Sequence, residues 1–163
     1  MGNLLFSMGG RINPADFQRG AIVLIAVGTV LKILPFFSMS LGMLAGLLGL
    51  ILLWPWVALW GKRYHDSDQS AWRIIAPIIA LVVLSMIAGA VINVMFPVDT
   101  RAAMSAAQSG DFMALLQGAA AAARHQVIPS ALIGAVLQFG VVYVFNGMIK
   151  ATPGDNKYGP AAN

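Results

Sequence analysis

The residues of this chain with chemical potential are concentrated between Trp60 and Trp72, in the run Trp-Gly-Lys-Arg-Tyr-His-Asp-Ser-Asp-Gln-Ser-Ala-Trp. His65 with Asp66 and Asp68 could ligate a divalent cation, because imidazole and carboxylates are suitable donors. Neighbouring residues point in different directions, however, and no second cluster of His or acids stands within the apolar runs to complete a coordination sphere. No metal and no other cofactor is expected. Acid/base catalysis by His65, oriented by an Asp, is chemically feasible, but neither a nucleophile motif nor a substrate pocket accompanies it. No catalytic residue is assigned, and the chain is expected not to be an enzyme; a metal-dependent activity on His65 and Asp66 is the weaker alternative.

Two non-catalytic roles suit the same residues better. Arg63 and Asp66, three positions apart, would pair if the preceding helix continues through them. With Arg11 paired to Asp66, and with Asn156 and Tyr158 of the tail folded over this stretch, both chain ends would be locked onto the centre by ionic and hydrogen-bonded contacts. In the second role, Arg11, Lys62, Arg63 and Arg73 offer positive charge beside aromatic rings, Trp72 among them, to an anionic lipid headgroup or a small anionic ligand.

The elements that must position these residues are apolar to an unusual degree. Across 163 residues the chain is 59% hydrophobic and only 10% charged, with a mean hydropathy of +0.80, outside the range of soluble globular domains. The formal charge is +4, but the basic residues are scattered between apolar runs and form no stripe that could follow a phosphate backbone. Nucleic acid is therefore not an expected partner, whereas the phospholipid bilayer is. Cysteine is absent, which excludes disulfide scaffolds and thiolate chemistry.

Asn13-Pro14-Ala15-Asp16 reads as a helix start: Asn13 caps, Pro14 needs no partner for a missing N–H, and Asp16 favours the positive helix end. Apolar runs at about 20–38, 41–60, 74–96 and 127–149 each have the length that crosses roughly 30 Å of hydrocarbon at a rise of about 1.5 Å per residue. The first run is too long for a signal-peptide core and is expected to remain as a span. Residues 1–19 carry a short apolar patch, Leu4, Leu5, Phe6 and Met8, that reads as an interfacial segment. Trp54, Trp56 and Trp60 read as an interfacial aromatic belt, and Asp68 or Ser70 as a cap for the third span. The Ala-rich stretch 97–126 reads as an outer helical loop of two short helices, capped by Asp99 and Asp111 and broken at Ser109-Gly110, with the fourth span beginning near Pro129. Residues 150–163 form a polar tail. The expectation is a single all-α membrane domain with four transmembrane helices, an interfacial N-terminal segment and an Ala-rich helical outer loop.

Within the spans, Lys32, Asn93, Gln138 and Asn146 are polar, and intramembrane ionisable groups are functional candidates by default. They support a further alternative, a small transporter or channel subunit acting as an oligomer. Lys32 is expected to snorkel outward to the nearer boundary. Gly42, Gly46 and Gly49 share one helix face and suit a homo-oligomer contact or close packing within the chain. Orientation follows from charge: Arg11, Arg19, Lys62, Arg63, Arg73, Lys150 and Lys157 fall on one side and Arg101 and Arg124 on the other. The bias places both termini and residues 61–73 in the cytoplasm, and residues 97–126 outside.

Three segments on the same expected side, Phe6-Ser7-Met8-Gly9-Gly10-Arg11, then Arg63-Tyr64-His65-Asp66 with Ser70 and Trp72, and Asn156-Lys157-Tyr158-Gly159-Pro160, occur in an order that resembles a bacterial inner-membrane family, domain of unknown function 805. The resemblance implies a small multi-span protein of the bacterial inner membrane with these residues at its functional centre; it implies no activity. The family tends to have Gly where Asp68 and Ala71 stand, and an aromatic where Gln18 stands.

Overall fold

The computed structural model describes residues 2–162, and the elements are helical: α1 (Gly2–Phe6), α2 (Pro14–Ile33), α3 (Met39–Ile51), α4 (Leu53–His65), α5 (Ile75–Met95), α6 (Arg101–Ser109) and α7 (Phe112–Met148). Short 3-10 turns at Leu34–Phe36 and Ala71–Ile74 precede α3 and α5. Four segments, Pro14–Phe36, Met39–His65, Ala71–Met95 and Phe112–Met148, are long and apolar enough to cross a membrane. The chain is an all-helical membrane protein.

The starts of α2, α3 and α7 are set by short polar side chains that satisfy orphan N–H groups of the first turn. Asn13 Oδ1 accepts the N–H of Asp16 at 2.8 Å, with Pro14 opening α2. Asp111 Oδ1 accepts the N–H of Ala114 at 2.9 Å, and Gly110, at φ 74°, closes α6 just before it. Of the two residues considered for the third span, Ser70 is the cap, accepting the N–H of Trp72 at 3.4 Å.

Two boundaries differ from the sequence reading. The second span is two helices, because Pro55 has no N–H to bond the carbonyl of Ile51 and its ring crowds the turn before it. The chain pauses at Leu52, and α4 then continues through Lys62, Arg63 and Tyr64 to His65, so these residues are a last helical turn and not a loop. The second outer helix and the fourth span are one continuous helix, α7, with Pro129 inside it. The Ala-rich sequence before Pro129 favours helix. Around the proline, Ser130 Oγ donates to the carbonyls of Gln126 and Val127, and the side chains of His125 and Gln126 donate to Phe96 O, bracing α7 against the end of α5.

Packing centres on α7, which is flanked by α2, α5 and α6, while α4 lies against α2. The densest core lies where α2, α4 and the end of α7 meet. Phe17 and Leu59 are fully buried there, and Trp60 stands edge-on to Phe17 at 4.5 Å and stacked on Tyr64 at 5.9 Å. Trp60 is therefore a core residue and not a member of an interfacial belt; Trp54 is exposed and donates its indole N–H to Phe6 O at 3.2 Å. The short α1 packs on α4 through Leu4 and Leu5, leaving Phe6 and Met8 exposed.

Candidate functional site

The last turn of α4 brings Arg63 and Asp66 together at the end of the bundle where α2 begins and α7 ends. The i+3 spacing puts Arg63 Nη1 3.0 Å from Asp66 Oδ2. The other carboxylate oxygen, Oδ1, receives Arg11 Nε at 3.2 Å and Nη2 at 3.1 Å. All three side chains are at most 2% exposed. Two guanidinium groups around one carboxylate leave a surplus positive charge away from water, a costly arrangement unless dipoles surround it.

Backbone carbonyls supply those dipoles. Arg63 donates to Asn146 Oδ1 at 2.6 Å, Asn146 O at 3.2 Å and Ile149 O at 2.6 Å, at the C-terminal end of α7 where carbonyls lack intrahelical partners and the helix dipole is negative. Arg11 donates to the carbonyls of Thr152 at 2.7 Å, Gly154 at 2.6 Å and Gly159 at 3.4 Å, and also to Asp66 O at 3.3 Å. Asn146 Nδ2 in turn donates to Pro14 O at 3.2 Å, which joins the start of α2 to the same network. Each guanidinium spends its fixed fork of donors on groups of this chain.

The tail closes over the network as a small hairpin. Asn156 and Gly159 exchange backbone hydrogen bonds at 3.1 and 3.0 Å, and Asn156 Nδ2 donates to His65 O at 2.9 Å. Thr152 N–H donates to Asp66 O at 2.8 Å. The ring of Tyr158 stacks on His65 at 3.8 Å, with 7° between planes. His65 Nδ1 lies 3.3 Å from Gly10 O; a carbonyl only accepts, so Nδ1 carries a hydrogen. Lys62 is buried and its ammonium holds Leu4 O, fastening α1 to α4.

Of the eight residues singled out in the sequence, seven, Arg11, Lys62, Arg63, His65, Asp66, Asn156 and Tyr158, gather at this end. Trp72 stands at the same end but outside the network: it is 78% exposed on the 3-10 turn before α5. Asn146 belongs to the network although the sequence marked it only as a polar residue in a span, and the acceptors Thr152, Gly154 and Gly159 act through their backbones, for which no side chain is a signal. Among the described residues, no group of three or more His, Cys, Asp or Glu comes together in a geometry that could hold a metal ion.

The other polar residues within the spans are placed apart from this network. Asn93 Oδ1 accepts from Gln126 Nε2 at 3.4 Å, tying α5 to α7. Lys32 does not snorkel to the near boundary; a Cβ on Gly134 would stand 3.1 Å from its Nζ. Helical side chains lean toward the helix N-terminus, which directs Lys32 back along α2 and away from that boundary. Gln138, one turn along α7, faces the grooves on both sides of that helix.

A family model described as a protein of unknown function, DUF805, matches residues 5–160, nearly the whole chain. No curated protein and no solved structure matches it.

Proposed function

The chain belongs to the DUF805 family, and from that premise we propose a multi-pass inner-membrane binding or interaction module, non-catalytic, with both termini in the cytoplasm. The observation that carries this reading is the saturation of the Arg11–Asp66–Arg63 network by groups of the chain itself. A catalytic or ligand-binding cluster needs donors or acceptors turned toward a cavity; these are turned toward helix ends and the tail. The network acts as a clasp that joins α2, α4, α7 and both terminal segments into one rigid face.

What that face presents to a partner is cationic and aromatic. Arg73 and Lys150 are exposed at the same end, as is the ring of Trp72. Exposed basic side chains beside an interfacial tryptophan suit the anionic headgroups of a cytoplasmic leaflet. The excess of Lys and Arg at this end supports its cytoplasmic orientation.

The test is native mass spectrometry of protein released from nanodiscs containing phosphatidylglycerol and phosphatidylcholine. Retained phosphatidylglycerol that is lost in an Arg73→Ala, Lys150→Ala variant supports headgroup binding at this face. Equal retention by both forms, or none by either, removes the lipid part of the proposal and directs the search to protein partners of the same face.

A further inference from the structure

A groove of about 430 Å³ lies between α2, α3, the start of α4 and α7, and no residue of the clasp lines it. Its volume falls in the range of roughly 300–1,000 Å³ typical of small-molecule sites. One wall is glycine: Gly46 and Gly49 have nothing within 4 Å of where a Cβ would stand, so the space beside them is open, while Gly42 abuts Pro35. Leu31, Leu53 and Trp56 make the rest of the lining largely apolar.

Into this apolar groove project an ammonium and an amide. Lys32 and Gln138 both line it, and neither has a hydrogen bond or an ion pair among the described residues. The depth of the ammonium is fixed by α7. Arg124 Nε holds Phe36 O at 2.8 Å near the outer end of α2, and Gly134, beside Lys32 Nζ, is ten residues further along, about 15 Å of helical rise. A cation at that depth without a counter-charge is costly. The chain has no carboxylate to offer: all its acids are Asp, and each belongs to the clasp end or to the segment from Asp99 to Asp111.

We infer that this groove binds an anionic amphiphile, its acyl chain along the glycine wall and its carboxylate or phosphate against Lys32 and Gln138. Lys32 supplies the charge and Gln138 a further N–H donor to the same anion. The apolar walls favour an anion that carries a hydrocarbon chain over a hydrophilic one, which would lose its hydration without gaining partners along Leu31, Leu53 and Trp56. The site is separate from the cytoplasmic-face reading and stands or falls without it.

Full-length protein in phosphatidylcholine nanodiscs would be titrated with oleate and, in a second series, with dioleoyl phosphatidic acid, and retained adducts read by native mass spectrometry. The wild type retains an anionic adduct, Lys32→Arg keeps it, and Lys32→Met weakens it by about tenfold or more, the loss expected for a charged hydrogen-bonding partner. Gly46→Leu and Gly49→Leu, at positions where an added Cβ meets nothing within 4 Å, weaken it as well. Retention of oleate alone assigns a carboxylate, of phosphatidic acid alone a phosphate, and of both an anionic head of either kind. Equal retention by wild type and Lys32→Met overturns the inference, as does retention of neither probe. A dimer mass abolished by the glycine variants, with no adduct, would show a second copy in the groove and overturn it too.

Discussion

Arg11 reaches Asp66, 55 positions further along the chain, at 3.1 Å, and this pair ties the N-terminal segment to the end of α4. Both side chains are almost fully buried, so the pair is unscreened and its removal leaves charges without partners.

Asp66→Ala would leave two buried guanidinium groups facing each other. The expected cost is about 3–5 kcal/mol, the range for removing one partner of a buried ion pair, read as a loss of thermal stability in detergent. A double-mutant cycle with Arg11→Ala and Asp66→Ala should give a coupling above about 1 kcal/mol. Additive single effects would mean that the two residues act independently, against the clasp.

Asp68 is the one non-glycine residue with a positive φ, 56°, among the described residues. A side chain in this region costs roughly 1–2 kcal/mol, whereas its exposed pair with Lys157 at 3.6 Å returns at most about 1 kcal/mol. Asp68→Gly should therefore leave stability unchanged or raise it by up to about 1 kcal/mol, and Asp68→Val should lower it. A clear drop in melting temperature for the glycine variant would contradict this account of the turn.

Gly159 closes the tail hairpin at φ 128°, a conformation that side chains rarely adopt. Gly159→Ala should loosen the hairpin and with it the carbonyl that Arg11 uses. Faster tryptic cleavage at the exposed Lys157 is the expected signature, and an unchanged cleavage rate would show that the tail is held by other contacts.

The proposed orientation predicts the accessibility of single cysteines, which stand out cleanly in a chain with none of its own. Ser105→Cys should react with an impermeant maleimide from outside the cell, and Asp155→Cys only after the membrane is opened. The reverse pattern would invert the topology.

The sequence by itself determined the membrane class and the starts of α2 and α7, because hydropathy and capping are local properties: an apolar run has one low-energy environment, and Asn13 or Asp111 caps whatever helix follows it. It also marked Arg63 with Asp66 at helical spacing, and the scarcity of acids made Asp66 the natural partner for Arg11. What the tertiary structure decided were properties of neighbours. That Pro55 breaks a helix and Pro129 does not is decided by their surroundings: around Pro129, His125 and Gln126 hold Phe96 O and Ser130 Oγ holds the carbonyls of Gln126 and Val127, which brace α7. Whether Trp60 is a belt or a core residue depends on Phe17 packing against it from α2. Lys32 could have pointed to either side of the membrane; the opening beside Gly134 and the backward lean of helical side chains turned it inward. The carbonyls that complete the clasp carry no side-chain signal, so only the folded path of the tail brings them to Arg11.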